Sequence, residues 1–238
     1  MNDVISLWTY LSASPLLWLT ATLLAYIAAD AAARRIGYAP WANPVLVSVC
    51  LIAPVLWLTG TDYGTYFEGA QFIHFLLGPA TVALALPLID NLDAIRRSVV
   101  PILVALFVGS FVAVISAIWI AQALDLPREI ILSISPKGTT APVALGVSEA
   151  VGGIPTLTAV LVIFTGITGA VIVTPLMNLL RIRDWRARGF AVGVAAHGIG
   201  TARAFQVNKV AGAYAGIGMA LNALLTSLIV PFVVRLMM

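Results

Sequence analysis

Charge and cysteine are both scarce in this sequence. Charged residues make up 10% of its 238 residues, whereas hydrophobic residues make up 61%. Soluble domains have about 25% charged and about 45–50% apolar residues, so a soluble fold would have nowhere to bury this apolar excess. The only cysteine, Cys50, excludes a disulfide bond within the chain. The composition therefore predicts an integral membrane protein.

The residue groupings that enzymes use are also missing from the sequence. It offers no paired nucleophile and base, no cluster of metal ligands and no phosphate-binding loop, and its two histidines, His74 and His197, stand alone. The net charge of +3 comes from basic residues in short segments between apolar runs, which does not indicate a nucleic-acid surface. We therefore expect no enzyme activity, no metal or other cofactor, and no nucleic-acid partner.

Long uncharged stretches are present instead. A helix needs about 20 apolar residues to cross a bilayer. Six stretches are long enough, at residues 4–29, 36–61, 69–89, 98–124, 150–180 and 210–234. The first lacks the basic segment of a cleavable signal peptide and is too long to be its apolar region. The sequence thus predicts an all-α polytopic protein with about six full transmembrane helices in a lipid bilayer.

Arginines follow every second one of these stretches. They are Arg34 and Arg35 after the first, Arg96 and Arg97 after the third, and Arg181, Arg183, Arg186 and Arg188 after the fifth. Basic loops are retained on the cytoplasmic side of a membrane. This pattern predicts a multi-pass protein of the cytoplasmic (inner) membrane, with both the N-terminus and the C-terminus outside.

Two further segments, residues 130–148 and 189–208, are apolar but interrupted by glycine or proline. If residues 130–148 crossed the bilayer completely, the four arginines after the fifth stretch would face outside, against the charge rule. A re-entrant hairpin that enters from the outside avoids this conflict. The same reasoning makes residues 189–208 a hairpin that enters from the inside. Protein or a water-filled cavity must then cover the non-helical backbone at membrane depth.

Each predicted hairpin is followed by a span, so residues 130–180 and 189–236 are expected to form an inverted repeat. Broken helices in inverted repeats are typical of secondary transporters, and the arrangement is like that of elevator-type transporters. We expect a single transmembrane domain over residues 1–238. Within it, residues 1–68 would form scaffold helices and the face of a homodimer, and residues 69–124 would include a broken span.

The hairpin sequences SPKGTTAP and HGIGTAR carry polar groups that suit a small carboxylate. Helix ends at a turn expose N–H groups and positive dipole ends, which attract anions. The predicted substrate-binding residues are Lys137, Gly138, Thr139, Thr140, Pro142, His197, Gly198, Gly200, Thr201 and Arg203. Arg203 is the predicted fixed positive charge, since arginine can hold a carboxylate with two hydrogen bonds. His197 is the predicted carrier of a coupling proton.

The sequence leaves structural alternatives open for these side chains. Lys137 could extend to the outer surface, Arg203 could anchor at the inner surface, and His197 could be a hydrogen-bonded packing residue. Further candidates are Asn43, which opens the second stretch, Gly78, Pro79 and Thr81, which form either a kink or an unwound segment, and Glu149, which is either a surface residue or a site carboxylate.

Five motifs in the sequence resemble a known family. They are WANPVLV, LTGTDYGTYFEGA, LLGPATVALALPL, ISPKGTTAPVALGVSEAVGGIP and RARGFAVGVAAHGIGTARAF. In their order and spacing they are similar to the LrgB/CidB (YohK-like) family, over about residues 36–234. They also resemble the C-terminal half of the plastidial glycolate/glycerate translocator.

The resemblance implies transport of small monocarboxylates of the glycolate, glycerate, pyruvate or 3-hydroxypropionate type. It further implies coupling to an ion or a proton and an LrgA/CidA-like small membrane protein as partner. The family has also been described as antiholin-like regulators of murein hydrolase activity and cell lysis, which is the alternative function. Broken helices with polar tips favour the transporter, because a purely structural regulator would not need buried hydroxyl groups and a cation.

Overall fold

The computed structural model describes residues 14–39, 41–76 and 92–238, together with positions 79, 82, 83, 86 and 89. The regular secondary structure of these residues is helical, without strands. The chain divides into two compact units, residues 1–82 and 83–238.

The first unit contains three helices: α1 (Pro15–Arg35), α2 (Pro44–Thr59) and α3 (Tyr63–Phe75). Both α1 and α2 begin with proline, whose missing N–H would have no partner at a helix start in any case. The side chain of Asn43 caps α2 by accepting hydrogen bonds from the amides of Val45 and Leu46. Gly60 ends α2 with a φ of +63°, a conformation that glycine adopts without strain.

Helices α1 and α3 pack closely within this unit. Trp18 of α1 is only 1% exposed and meets Tyr66 of α3 edge to face, with the ring centroids 5.9 Å apart. The hydroxyls of Thr22 and Tyr66 lie 3.1 Å apart. A side chain at Gly69 would overlap the α1 backbone near Pro15, so a glycine is required for this approach. The proposed scaffold and dimer role of residues 1–68 stays a prediction.

The second unit contains the remaining described helices. They are α4 (Leu92–Arg97), α5 (Val99–Ala123), α6 (Arg128–Ile134), α7 (Ala141–Val151), α8 (Pro155–Leu179), α9 (Trp185–Val207) and α10 (Lys209–Met237). Helix α10 is the core of the unit. In its most apolar stretch 56% of the residues are buried, against 22% in α5 and 22% in α8. Apolar side chains of α5 and α9, among them Leu106 and Phe190, pack in one cluster with Ile217 of α10.

Four described helices, α1, α5, α8 and α10, are long and apolar enough to cross a membrane. Helix α2 has 16 residues, which span about 24 Å at 1.5 Å per residue and fall short of a bilayer core of about 30 Å. The predicted stretch 69–89 lies partly outside the described residues, and so does the start of stretch 4–29. The predicted total of six spans therefore stays a prediction.

Two predicted boundaries differ from the structure. The fifth span, α8, begins at Pro155 rather than at residue 150, because Gly152 adopts a φ of +85° and ends α7. Glu149 consequently belongs to the end of α7 and does not open a span. The segment predicted as 189–208 begins earlier, at Trp185, where the side chain of Asp184 caps the amide of Arg186.

Candidate functional site

Helix α9 is broken in its middle. Ala196 has φ −133° and ψ 17°, and His197 has φ +40° and ψ −133°, both outside the helical range. The carbonyl oxygen of Val192 lies 3.1 Å from the Cβ position of Gly200, although eight residues of straight helix would separate them by about 12 Å. The chain therefore turns sharply at these two residues, which we call the second tip.

Contacts with α10 show that the two halves of α9 run in opposite directions. Before the second tip, Gly189 packs on Ala211 and Gly193 packs on Ala215, which is a parallel arrangement. After the tip, the hydroxyl of Thr201 lies 3.7 Å from the Met219 sulfur, and Phe205 contacts Gly212, which is an antiparallel one. Residues 185–207 thus form a helical hairpin, which we call the second hairpin.

Helices α6 and α7 form the first hairpin, and residues 135–140 between them form the first tip. Hydrogen bonds of serine and threonine hydroxyls connect both of its helices to the start of α8. The Thr158 hydroxyl donates to the Ser133 carbonyl at 2.9 Å and lies 2.7 Å from the Ser148 hydroxyl, with which it also forms a hydrogen bond. The Ile154 amide donates to the Ser133 hydroxyl. These bonds hold the end of α6 and the later part of α7 against the start of α8.

The two tips meet at Asn222, in the middle of α10. Its side-chain nitrogen donates to the carbonyl oxygens of Gly138 in the first tip and Val194 beside the second tip, both at 3.1 Å. Its oxygen accepts from Ser110 at 2.6 Å and from Thr226 at 3.2 Å. Asn222 is only 3% exposed. Asn222 is not among the residues predicted from the sequence, although a lone asparagine in an apolar span is a recognisable signal for a contact between helices.

Unused hydrogen-bonding groups are concentrated at the first tip. Thr139 is 0% exposed and Thr140 is 7% exposed, and neither hydroxyl has a hydrogen-bond partner among the described residues. Thr140 precedes α7 as its N-cap but makes no side-chain capping bond. The first amides of a helix have no partner within the helix. Since a buried polar group without a partner costs about 1–3 kcal/mol, these groups indicate a place for a polar ligand.

An open cleft of about 440 Å³ lies beside the first tip. Its walls are Ile134, Lys137, Leu161, Phe164, Thr165, Thr168, Gly169, Ile172 and Ala195. The half-buried Lys137 is the cation of this cleft, and within the described part of the chain its ammonium group forms no ion pair. Thr139 and Thr140 do not line the cleft, so the buried hydroxyls and the cation are separate features of the same tip.

His197 is held in place at the second tip. Its Nε2 donates to the carbonyl of Val162 in α8 at 2.9 Å, and the ring is 4% exposed. The ring fits against Gly166, where a Cβ would lie 2.6 Å from its Cε1, and Ala196 fits against Gly169 in the same way. These contacts match the packing alternative that the sequence left open for His197. Its role as a proton carrier stays a prediction.

The other predicted residues of the second hairpin lie on its returning half, after the second tip. The Thr201 hydroxyl donates to the carbonyl of His197, at 2.8 Å. Arg203 is 6% exposed and lies six residues beyond His197, or about 9 Å along the returning half-helix. Gly198 is exposed, and Gly200 packs on Val192. The structure therefore places Arg203 inside the second hairpin and not at its tip.

The remaining candidates are dispersed. Pro142 and Glu149 are exposed on α7, at its start and near its end. Asn43 belongs to the first unit, where its side chain caps α2. Pro79 is exposed. Gly78 and Thr81 lie outside the described residues, so the choice between a kink and an unwound segment there stays open.

The loop that leads into the second hairpin is held by local charges. Arg186 donates to Asp184 at 2.8 Å, and this side-chain bond, aided by the bond from the Arg186 amide, holds the pKa of Asp184 below its usual value. The guanidinium of Arg188 lies 4.8 Å from the centre of the Trp185 ring and also donates to Asn178. These contacts define the start of α9.

Apolar helices of membrane-spanning length, joined by hairpins with buried polar tips, define a multi-pass helical membrane protein. The sequence model of the LrgB-like family matches residues 22–236. The chain belongs to the LrgB-like family, which confirms the resemblance found in its motifs.

Several relatives cover most of the chain. It is 36% identical to the uncharacterised protein YwbG of Bacillus subtilis, over 91% of this chain and 96% of that protein. It is 36% identical to the uncharacterised protein YxaC of the same organism, over 90% and 93%. It is 30% identical to the holin-like protein CidB of Staphylococcus aureus, over 83% and 86%. No solved structure matches the chain.

Proposed function

We propose that this protein is a secondary transporter of small monocarboxylates of the glycolate, glycerate, pyruvate or 3-hydroxypropionate type, and not an enzyme. The observation that carries the proposal is the pair of buried hydroxyls without partners, on Thr139 and Thr140. A carboxylate has only acceptor oxygens, and it satisfies several donors at once. The substrate would therefore bind at the first tip, where these donors are concentrated.

Two further features of the first tip favour an anion. The N-terminus of α7 begins there, and its free amides and positive dipole end stabilise negative charge. Lys137 lies in the same tip and lines the neighbouring cleft, where its ammonium group can attract the anion as it enters. The neutral hydroxyls and amides would then hold the carboxylate, while Lys137 supplies the charge.

Transport requires the site to open alternately to the two sides of the membrane. We propose that the hairpins are re-entrant from opposite sides of the cytoplasmic membrane and form the inverted repeat that the charge pattern predicts. Helix ends of a broken segment that meet near the membrane midplane are the usual substrate site in such repeats. An ion or a proton would drive uptake, with His197 as the proposed proton carrier, and an LrgA/CidA-like small protein would be the partner.

The second candidate function is antiholin-like regulation of murein hydrolase activity and cell lysis. The name of the Staphylococcus aureus relative, holin-like protein CidB, favours this function. A regulator that acts only through a partner has no need for a ligand at the first tip. It therefore predicts that the Thr139 and Thr140 hydroxyls are dispensable.

Uptake into proteoliposomes tests the proposal. Labelled glycolate, pyruvate and 3-hydroxypropionate are supplied with and without a proton or sodium gradient, and with and without an LrgA-like subunit. We expect uptake of at least one acid, and a fall of about a hundredfold or more in its apparent affinity for Thr139→Val with Thr140→Val, since two hydrogen bonds to a charged group are lost.

Thr59→Val is the matched control, because Thr59 lies in the first unit and bonds only to its own helix and to Thr61. It should leave uptake unchanged. No uptake of any acid under all conditions, by protein that remains folded, would contradict the transporter and favour the regulator.

A further inference from the structure

We propose that Asn222 is a positioning residue that couples the two tips and thereby sets how often the first tip opens. Its side-chain amide bonds to both hairpins, through the carbonyls of Gly138 and Val194. These two residues are 84 and 28 positions away in sequence. The effect on substrate rests on the proposed function, whereas the coupling of the tips does not.

The orientation of the Asn222 amide follows from its partners. Carbonyl oxygens only accept hydrogen bonds, so the NH₂ group must face Gly138 and Val194. The amide oxygen then faces Ser110 and Thr226, whose hydroxyls donate to it. All four hydrogen-bonding positions of the amide are used, and the group is buried. The four bonds leave the side chain one orientation.

The coupling has a consequence for motion. If either tip moves away from α10, one N–H of Asn222 loses its carbonyl partner inside a buried environment, where no water replaces it. While both bonds are intact, the first tip is held against the second. Asn222 therefore favours the arrangement in which the tips are together, and loosening its amide should favour an open first tip.

Asparagine suits this role better than aspartate or leucine. Asn222→Asp keeps the shape but replaces two donors with a carboxylate that repels both carbonyls, and when protonated it can donate to only one of them. Asn222→Leu removes every polar group. Ser227→Ala is the matched control on α10, because the half-buried Ser227 bonds only to its own helix, at Leu224.

The distance between the hairpins measures the coupling directly. Spin labels are placed at Gly146→Cys on α7 and Ala202→Cys on the second hairpin, in a Cys50→Ser background. Both positions are exposed, and a side chain at Gly146 meets nothing within 4 Å. We expect one narrow distance distribution for the parent and for Ser227→Ala, and a broader or longer one for Asn222→Leu and for Asn222→Asp at neutral pH.

Lowering the pH should narrow the distribution of Asn222→Asp again, because the protonated acid regains one donor. If Asn222 only added stability, replacing it would lower the unfolding temperature without this reversible change in distance. If Asn222→Leu does not fold, Asn222→Asp compared at two pH values carries the test. An unchanged distribution in the folded Asn222 variants would overturn the proposal.

Uptake measured on the same samples separates this inference from the proposed function. If the Asn222 variants show altered distances but the parent takes up no acid, the proposed coupling is supported and the proposed transport is contradicted. If the parent takes up an acid but the variants show unchanged distances, the proposed transport is supported and the proposed coupling is contradicted. Where both hold, Asn222→Asp should change the apparent substrate affinity about tenfold at neutral pH, as expected for the loss of two hydrogen bonds.

Discussion

The chain reverses between helices in both hairpins, but the two turns differ in length and in how their polar groups are hydrogen-bonded. The first uses six residues between Ile134 and Ala141 and leaves the hydroxyls of Thr139 and Thr140 without partners in the described structure. The second reverses at Ala196 and His197 alone, and the His197 ring is bonded to α8. The first tip has hydrogen-bonding capacity to spare, whereas the second tip is packed.

The glycines of the two hairpins show the same difference. In the second hairpin, Gly189 and Gly193 let α9 approach the α10 backbone so closely that any side chain would overlap it. In the first hairpin, Gly146 has open space at its Cβ position. We infer that the second hairpin is a rigid support and that the first is the part adapted to a ligand. Three measurements test this comparison.

The largest expected effect is at Gly193. Gly193→Val should lower the free energy of unfolding by about 3 kcal/mol, because an overpacked backbone contact must separate. Gly146→Ala should be neutral or stabilise by up to about 1 kcal/mol, since alanine favours the helix. Thermal unfolding in detergent measures both. Equal effects at the two glycines would contradict a difference in rigidity between the hairpins.

The next effect is at His197. His197→Ala should lower the free energy of unfolding by about 2 kcal/mol, because it loses the bond to Val162 and keeps a side chain at φ +40°. His197→Gly loses the same bond but adopts a positive φ without strain, so it should cost about 1 kcal/mol less. Thermal unfolding under the same conditions measures the difference. A greater loss for His197→Gly would show that the turn stores no strain.

The smallest effect compares two buried threonines, Thr139 of the first tip and Thr158 of α8, which is bonded to the first hairpin. Thr158→Val should cost about 1 kcal/mol, because its hydroxyl bonds to Ser133, Ser148 and Ile154. Thr139→Val should raise the free energy of unfolding by about 1 kcal/mol, because it removes a buried hydroxyl that has no partner in the described structure. A ligand-free sample is needed for both. A loss of stability in Thr139→Val would indicate a structural role for its hydroxyl.

Much of the second unit could be predicted from local sequence. Pro136, Gly138 and Pro142 locate the first tip, and the apolar stretches locate α5, α8 and α10 within a few residues. The starts of two helices were harder to predict. The start of α8 depends on the positive φ of Gly152, and the start of α9 depends on the cap at Asp184. The membrane orientation and the inverted repeat stay predictions.

The site residues were less accessible to sequence reasoning. A motif cannot show which hydroxyl already has a partner, so Thr201 and Thr140 looked equivalent. In the structure, Thr201 donates to its own helix, whereas Thr140 has no partner among the described residues. The motif predicts Arg203 as the central cation, but its distance along the half-helix places it away from the turn. Asn222 was overlooked because its partners are distant in sequence.

The sequence by itself determined the class of the molecule. Scarce charge, long apolar runs and glycine or proline in two of them require a membrane protein with broken helices, because these properties act locally along the chain. Only the tertiary structure decided which polar groups are satisfied. A hydrogen bond depends on the position of both partners, and Asn222 reaches Gly138 across 84 residues of chain. No local pattern specifies such a contact, which exists only once α10 packs against both hairpins.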